Sequence, residues 1–149
     1  RIRHGEIQRM SAGSGIRHSE YNPNSDEETQ LLQIWILPDR QGYTPGYEQV
    51  DLTEKFKSES WVLISSQNGE NNSTTINQNA KIFAGNFAQS TVFKIPICKS
   101  RKGWLQMVSG SVTVQGLTLN PGDGIALENE ESPELTIEKQ AHFLFFDLP

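Results

Sequence analysis

The sequence predicts an all-β protein, with a closed jelly roll or sandwich over residues 60–149 and an incomplete β unit before it. Three observations carry this. Apolar residues come in short runs bounded by Gly, Pro, Asn and Asp, not at helical spacing. About eight such runs follow one another closely after residue 60, enough for two sheets that cover most of their own edges. Residues 1–37 hold only three runs, too few for a barrel of their own.

Taken in order, "IQRM" (7–10), "GIRHSEY" (15–21) and "LLQIWIL" (31–37) read as strands of the incomplete unit. Residues 38–58, with Pro38, Gly42, Pro45 and Gly46 and then "DLTEKFKSES", read as a linker with one helical turn. "SWVLISS" (60–66) is a buried strand closed by Asn68-Gly69, a tight-turn signal. "TTINQ" (74–78), "AKIFAGNF" (80–87) and the alternating "TVFKI" (91–95) come next. Residues 103–127 give three or four short strands, broken at Ser109-Gly110, Gln115-Gly116 and Pro121-Gly122-Asp123-Gly124. "ELTIEK" (134–139) and "HFLFFDL" (142–148) end the chain. Trp104, Met107, Val112, Val114, Leu117, Leu119 and Ile125 are expected to fill or flank the barrel.

The totals narrow the function. A length of 149 residues suits one domain, or one domain plus a fragment. A net charge of −5 argues against nucleic acid, which needs a basic face. The longest apolar runs, "IWIL" (34–37) and "FLFF" (143–146), are far too short to span a bilayer, so no membrane partner is expected. The single cysteine, Cys98, permits no internal disulfide and suits a cytoplasmic location. Lys99, Arg101 and Lys102 lie beside it, but a lone loop cysteine is most simply inert. The overlapping Asn-x-Ser/Thr sequons at Asn71 and Asn72 read as a polar loop.

"SAGSGIRHSEYNP" (11–23) carries the chemistry. On a strand, residues two apart face one side, so His18 and Glu20 project together with Ile16. Imidazole and carboxylate on one face suit divalent iron or manganese, and non-haem iron sites need at least one further protein ligand. By itself His-x-Glu is a weak signal, equally at home as a polar pair on a surface strand. "SAGSG" lacks the Gly-Lys-Ser/Thr of a phosphate loop. It reads instead as a tight turn in which Gly13 and Gly15 take unusual backbone angles. His4 reads as a turn residue, and His142 as a core or rim histidine.

"GEIQRMSAGSGIRHSEYN" (5–22) resembles the signature of the pirin family, built of two cupin jelly rolls. "LLQIWILPDRQGYTPGYEQ" (31–49) is similar to its bridge between domains, and "GWLQMVSGSVTVQG", "LNPGDG" and "LFFDLP" to its second cupin. The likeness is strongest to bacterial pirin-like quercetinases. It implies a division into a partial N-terminal cupin (1–40), a linker (41–59) and a complete C-terminal cupin (60–149). It also implies that His18 and Glu20 are two of four ligands to one Fe2+ or another divalent metal. The other two come from a His-x-His motif with no counterpart in this chain, expected upstream of Arg1. The chain by itself should therefore hold metal weakly or not at all. No metal-binding pattern is found in the second cupin, since "CKSRKGWLQ" and "GIALENEESPE" contain no histidine.

For the intact parent the resemblance implies quercetin 2,3-dioxygenase-type chemistry on a flavonol-like small molecule, with Glu20 as the possible general base. An alternative is a non-catalytic, redox-responsive regulator that binds a protein partner. A third is a truncated structural β domain. Whether this chain is itself an enzyme stays open at this point. The apolar residues Ile7, Met10, Ile16, Leu32, Ile34, Trp35 and Ile36 should leave a face that associates, and a homodimer through residues 1–37 is the expectation.

Overall fold

The computed structural model describes residues 1–149. A first hairpin pairs β1 (Glu6–Ser11) antiparallel with β2 (Gly46–Asp51), and the short helix α1 (Thr53–Ser58) follows. Then come β3 (Trp61–Ser66), a 3-10 turn (Glu70–Asn72), β4 (Thr74–Thr75), β5 (Lys81–Phe87) and β6 (Thr91–Lys94). The chain ends with β7 (Lys102–Gly110), β8 (Val112–Val114), β9 (Leu117–Leu119), β10 (Gly124–Glu128), β11 (Glu134–Ile137) and β12 (Ala141–Leu148). β3 to β12 make two sheets, one of six strands in the order β10-β7-β12-β5-β3-β4 and one of four in the order β6-β11-β8-β9.

The alternation of side chains explains the core. Phe143 and Phe145 of β12, Leu105 and Met107 of β7, Val112 and Val114 of β8, and Leu135 and Ile137 of β11 meet between the sheets. The opposite face of the six-stranded sheet is covered too. There Val62, Ile64, Ile82, Ala84 and Leu144 form a second cluster with Leu52, against which Ile7, Val50 and Phe56 pack. β12 is thus buried on both sides, which is why "HFLFFDL" reads as a continuous apolar run. Gly85 lets this packing close: a Cβ there would lie 2.5 Å from the Phe143 ring. Arg101, before β7, ties the sheet's end together by donating to Asp147 Oδ1 at 2.5 Å and to the Asn79 carbonyl at 2.9 Å.

The expected turns are present. Gly69 is left-handed at φ 69°, and Gln115-Gly116, at φ 52° and 78°, close the β8–β9 hairpin as a two-residue turn. Met107, Val112, Val114 and Leu119 are buried as expected, with Ile125 packed beside them. Two of the residues expected to fill or flank the barrel flank it. Trp104 lies on the outside of the sheet across Gly124, 39 % exposed, and Leu117 is 58 % exposed at the tip of its hairpin. The alternation along β7 and the tight β8–β9 turn point both side chains away from the core.

The larger corrections lie before residue 60. "GIRHSEY" and "LLQIWIL" are not strands; residues 12–45 contain none. A strand needs a ladder partner, and no segment of this chain pairs with either run. Residues 41–59, expected as a linker with one helical turn, hold the short helix α1 as expected but also β2. The sequence "GYEQVD" hides β2 because only Val50 on its inner face is aliphatic. Asp51, one residue before the N-cap Leu52, accepts from the Thr53 N–H, and the Thr53 hydroxyl and backbone N–H hold its carboxyl below its ordinary value.

Candidate metal centre

β1 and the loop after it position the candidate ligands. At the end of β1, a turn from Ala12 to Gly15 closes with the Gly15 N–H donating to the Ala12 carbonyl at 2.7 Å. Gly13 takes φ 53° in it, and a Cβ there would meet the Tyr43 carbonyl at 2.1 Å. Only glycine lets this loop press against residues 43–45, and that contact sets the course of the chain into His18.

His18 and Glu20 come together without the strand expected of them. His18 Nδ1 is 3.9 Å from Glu20 Oε1, and both side chains are about two-fifths exposed (41 % and 42 %). This is beyond hydrogen-bonding distance. Two adjacent donors at about 2.1 Å on a tetrahedral or octahedral ion lie about 3.0–3.4 Å apart, so the pair must close by about half an ångström to share one. A neutral imidazole nitrogen and a carboxylate are the right donor types for such an ion. No group of three or more His, Cys, Asp and Glu side chains gathers anywhere in the chain. In donor type, though not in number, the pair suits part of a ligand set.

His18 borders an open cavity of about 450 Å³ with Met10, Ile16, Arg17, Pro45, Gly46 and Tyr47; Glu20 is not in its wall. Tyr47 and Gly46 were missed by sequence reasoning, because they belong to the unrecognised β2. The signal that could have found them is the polar alternation of "YEQVD". Beside the cavity, Arg9 pairs with Glu48 at 2.9 Å and donates to Ser11 Oγ at 3.0 Å. Glu48 also accepts from the Thr75 N–H, and Ser11 from the Asn77 amide, at 2.9 and 3.2 Å. This network fastens the β1–β2 hairpin to the sheets.

The remaining candidates lie apart. His142 is half-buried on β12, on the same face as Leu144; burial first, then the charge of His4, push its pKa down. Cys98 is exposed, with Ser100 Oγ at 3.3 Å from its sulfur.

With this geometry in hand, comparison with known proteins is direct. Residues 63–148 match the family described as the quercetinase C-terminal cupin domain, and residues 1–36 match the family described as pirin. The chain belongs to the pirin family. It is 36 % identical over 146 residues to a quercetin 2,3-dioxygenase of Escherichia coli K12, covering 97 % of this chain and 62 % of that protein. It is 31 % identical over 144 residues to a pirin-like protein of Caulobacter vibrioides, covering 96 % and 62 %. Among solved structures it resembles the bacterial pirin YhhW of Escherichia coli in complex with nickel(II), with TM-score 0.88, 36 % identity, and 97 % and 62 % of the two chains covered. A second structure of YhhW gives a TM-score of 0.90. The chain thus spans 62 % of the length of these curated relatives. It shares with the pirins an all-β cupin fold.

Proposed function

We propose that this chain is the larger part of a pirin-type metal-dependent dioxygenase that opens a flavonol such as quercetin with oxygen. The observation that supports it best is the His18–Glu20 pair, 3.9 Å apart with His18 lining an open cavity, within the segment that matches the pirin family. In this reading residues 1–40 belong to the metal-binding cupin and residues 60–149 form a cupin without metal ligands. Bound there, a divalent ion such as Fe2+ would act as a Lewis acid toward the vicinal oxygens of the substrate. The chain's own residues supply the rest. His18 and Glu20 each provide one ligand. Glu20, outside the cavity wall, is also the carboxylate that would take the substrate's hydroxyl proton at Oε1 or Oε2. Met10, Ile16 and Tyr47 offer the apolar and aromatic wall that a flat ring system requires. The remaining ligands would come from the part of the family's sequence that this chain does not span.

The test is a fusion. The N-terminal segment of the Escherichia coli quercetin 2,3-dioxygenase that has no counterpart here is joined to Arg1, and oxygen-dependent loss of quercetin is followed. The fusion should consume quercetin, and His18→Ala or Glu20→Gln should lower the rate at least about 100-fold, as loss of a positioned acid–base group or ligand does. A folded His18→Ala fusion with full activity would refute the assignment. So would a folded fusion that binds metal but leaves quercetin intact, which would favour the non-catalytic regulator.

A further inference from the structure

A second cavity, of about 520 Å³, opens at the uncovered edge of β3, and none of its residues lines the His18 cavity. Trp61, Leu63 and Phe83 form its floor, while Lys55, Glu59, Asn71 and Asn72 stand around its rim. We propose that this cavity is a binding site for a neutral, hydroxylated, planar aromatic ring, independent of the metal reading above.

The floor supplies the ring recognition. Trp61 and Phe83 stack with centroids 4.8 Å apart at 14°, and Phe93 backs Trp61 at 4.9 Å. Trp61 Nε1 is buried and unpaired, and its ring is held in place by Phe83, Phe93, Phe143 and Phe145. A rigid aromatic surface of this kind favours a flat apolar partner. The volume lies within the usual range for small-molecule sites.

The edge and rim supply the polar contacts. β4 pairs with β3 only at Ser65 and Ser66, leaving the stretch before them without a neighbour on that side. The Ser60 carbonyl accepts from the Asn86 N–H, toward β5. Alternation along the strand therefore turns the N–H and C=O of Trp61 outward to the open edge. Lys55 spends one of its three N–H donors on the Asn71 carbonyl and keeps the others. Asn71 and Asn72 are successive residues in left-handed backbone, at φ 53° and 59°, a turn conformation that asparagine tolerates better than most residues. Both are exposed, with carboxamides that each offer donors and an acceptor.

Charge decides the class. The rim carries one cation, Lys55, and one anion, Glu59. A carboxylate ligand would gain from the first and be repelled by the second. Hydroxyl groups on a neutral ring can accept from Lys55 and donate to Glu59, so a balanced rim selects them.

The test uses resorcinol, whose separated hydroxyls do not chelate a metal, titrated into the isotopically labelled chain to millimolar concentration and followed by ¹H–¹⁵N NMR. Saturable shifts should centre on the Trp61 indole N–H and the amides of Leu63, Asn71 and Asn72. Benzoate, similar in size but charged, should bind more weakly. Lys55→Met, and separately Asn72→Gly, which suits the left-handed backbone, should each weaken resorcinol about fivefold, the size of one lost hydrogen bond. The site is overturned by shifts that do not saturate, by shifts centred on Met10, His18 and Tyr47, or by folded rim variants that bind like the parent. Tighter binding of benzoate overturns the neutral class.

Discussion

His142 shows how one side chain can report on the packing of the hairpin. It stands on the face of β12 that carries Leu144 and the second apolar cluster, and burial lowers its pKa from the ordinary 6.5. A histidine held neutral in the folded state binds fewer protons than its unfolded counterpart once the pH drops below 6.5. Its contribution to stability is therefore complete above that value and is lost as the pH falls from it toward the lowered folded value. Urea midpoints measured at about pH 7.5 and 5.5 should drop for the parent chain, and less for His142→Gln. Equal drops would show that other groups carry the acid sensitivity. His18 and Glu20 differ from His142 in how they were found. The spacing of the pair was legible, but its meaning came only from the surrounding "SAGSGIRHSEYN". The partners in the cavity wall, Tyr47 above all, are close in space and far in sequence, which a spacing argument does not reach.

Among the elements, those after residue 60 were legible because each combines an apolar run with a turn signal at its end. Gln115-Gly116 and Asn68-Gly69 mark turns that the backbone takes, and "HFLFFDL" becomes β12 almost residue for residue. Before residue 60 the same logic failed in both directions. "LLQIWIL" looks like a buried strand by composition, yet strand formation depends on a neighbour, and here none pairs with it. "GYEQVD" looks like a polar linker, yet it pairs with β1 over six residues, from Gly46 to Asp51. Close packing makes one element especially sensitive. Gly85 of β5 lies under Phe143, so Gly85→Ala forces that ring to move and should cost about 1–3 kcal/mol, read as a shift in the urea midpoint at unchanged slope. An unchanged midpoint would mean that Phe143 relaxes freely and that the two-sided burial of β12 is looser than described.

At the scale of the whole molecule, the hairpin and α1 cover one face of the six-stranded sheet, while the loop from β1 to β2 leaves apolar groups in solvent. Trp35 is 87 % exposed, Leu37 83 % and Leu31 58 %. Ile7 and Ile36 reach the second cluster, so part of the segment 1–37 packs within its own chain. We propose that the exposed remainder pairs two copies of the chain, since a two-fold arrangement lets like faces cover each other. Light scattering at micromolar concentration should give a dimer, and Trp35→Glu should shift it toward monomer; a monomeric parent chain would refute this. No helix is long and apolar enough to cross a membrane. The central claim concerns the metal. After dialysis against Fe2+ or Ni2+ and exhaustive washing, the 149-residue chain should retain well under one ion per chain, because the proposed pair of His18 and Glu20 supplies only two donors and no third His, Cys, Asp or Glu gathers with them. The fusion carrying the relative's N-terminal segment should retain close to one, and His18→Ala or Glu20→Ala should weaken it by more than the 10–100-fold typical of outer-shell changes. A fusion that keeps its metal after His18→Ala, or a stoichiometric ion in the chain alone, would contradict the account.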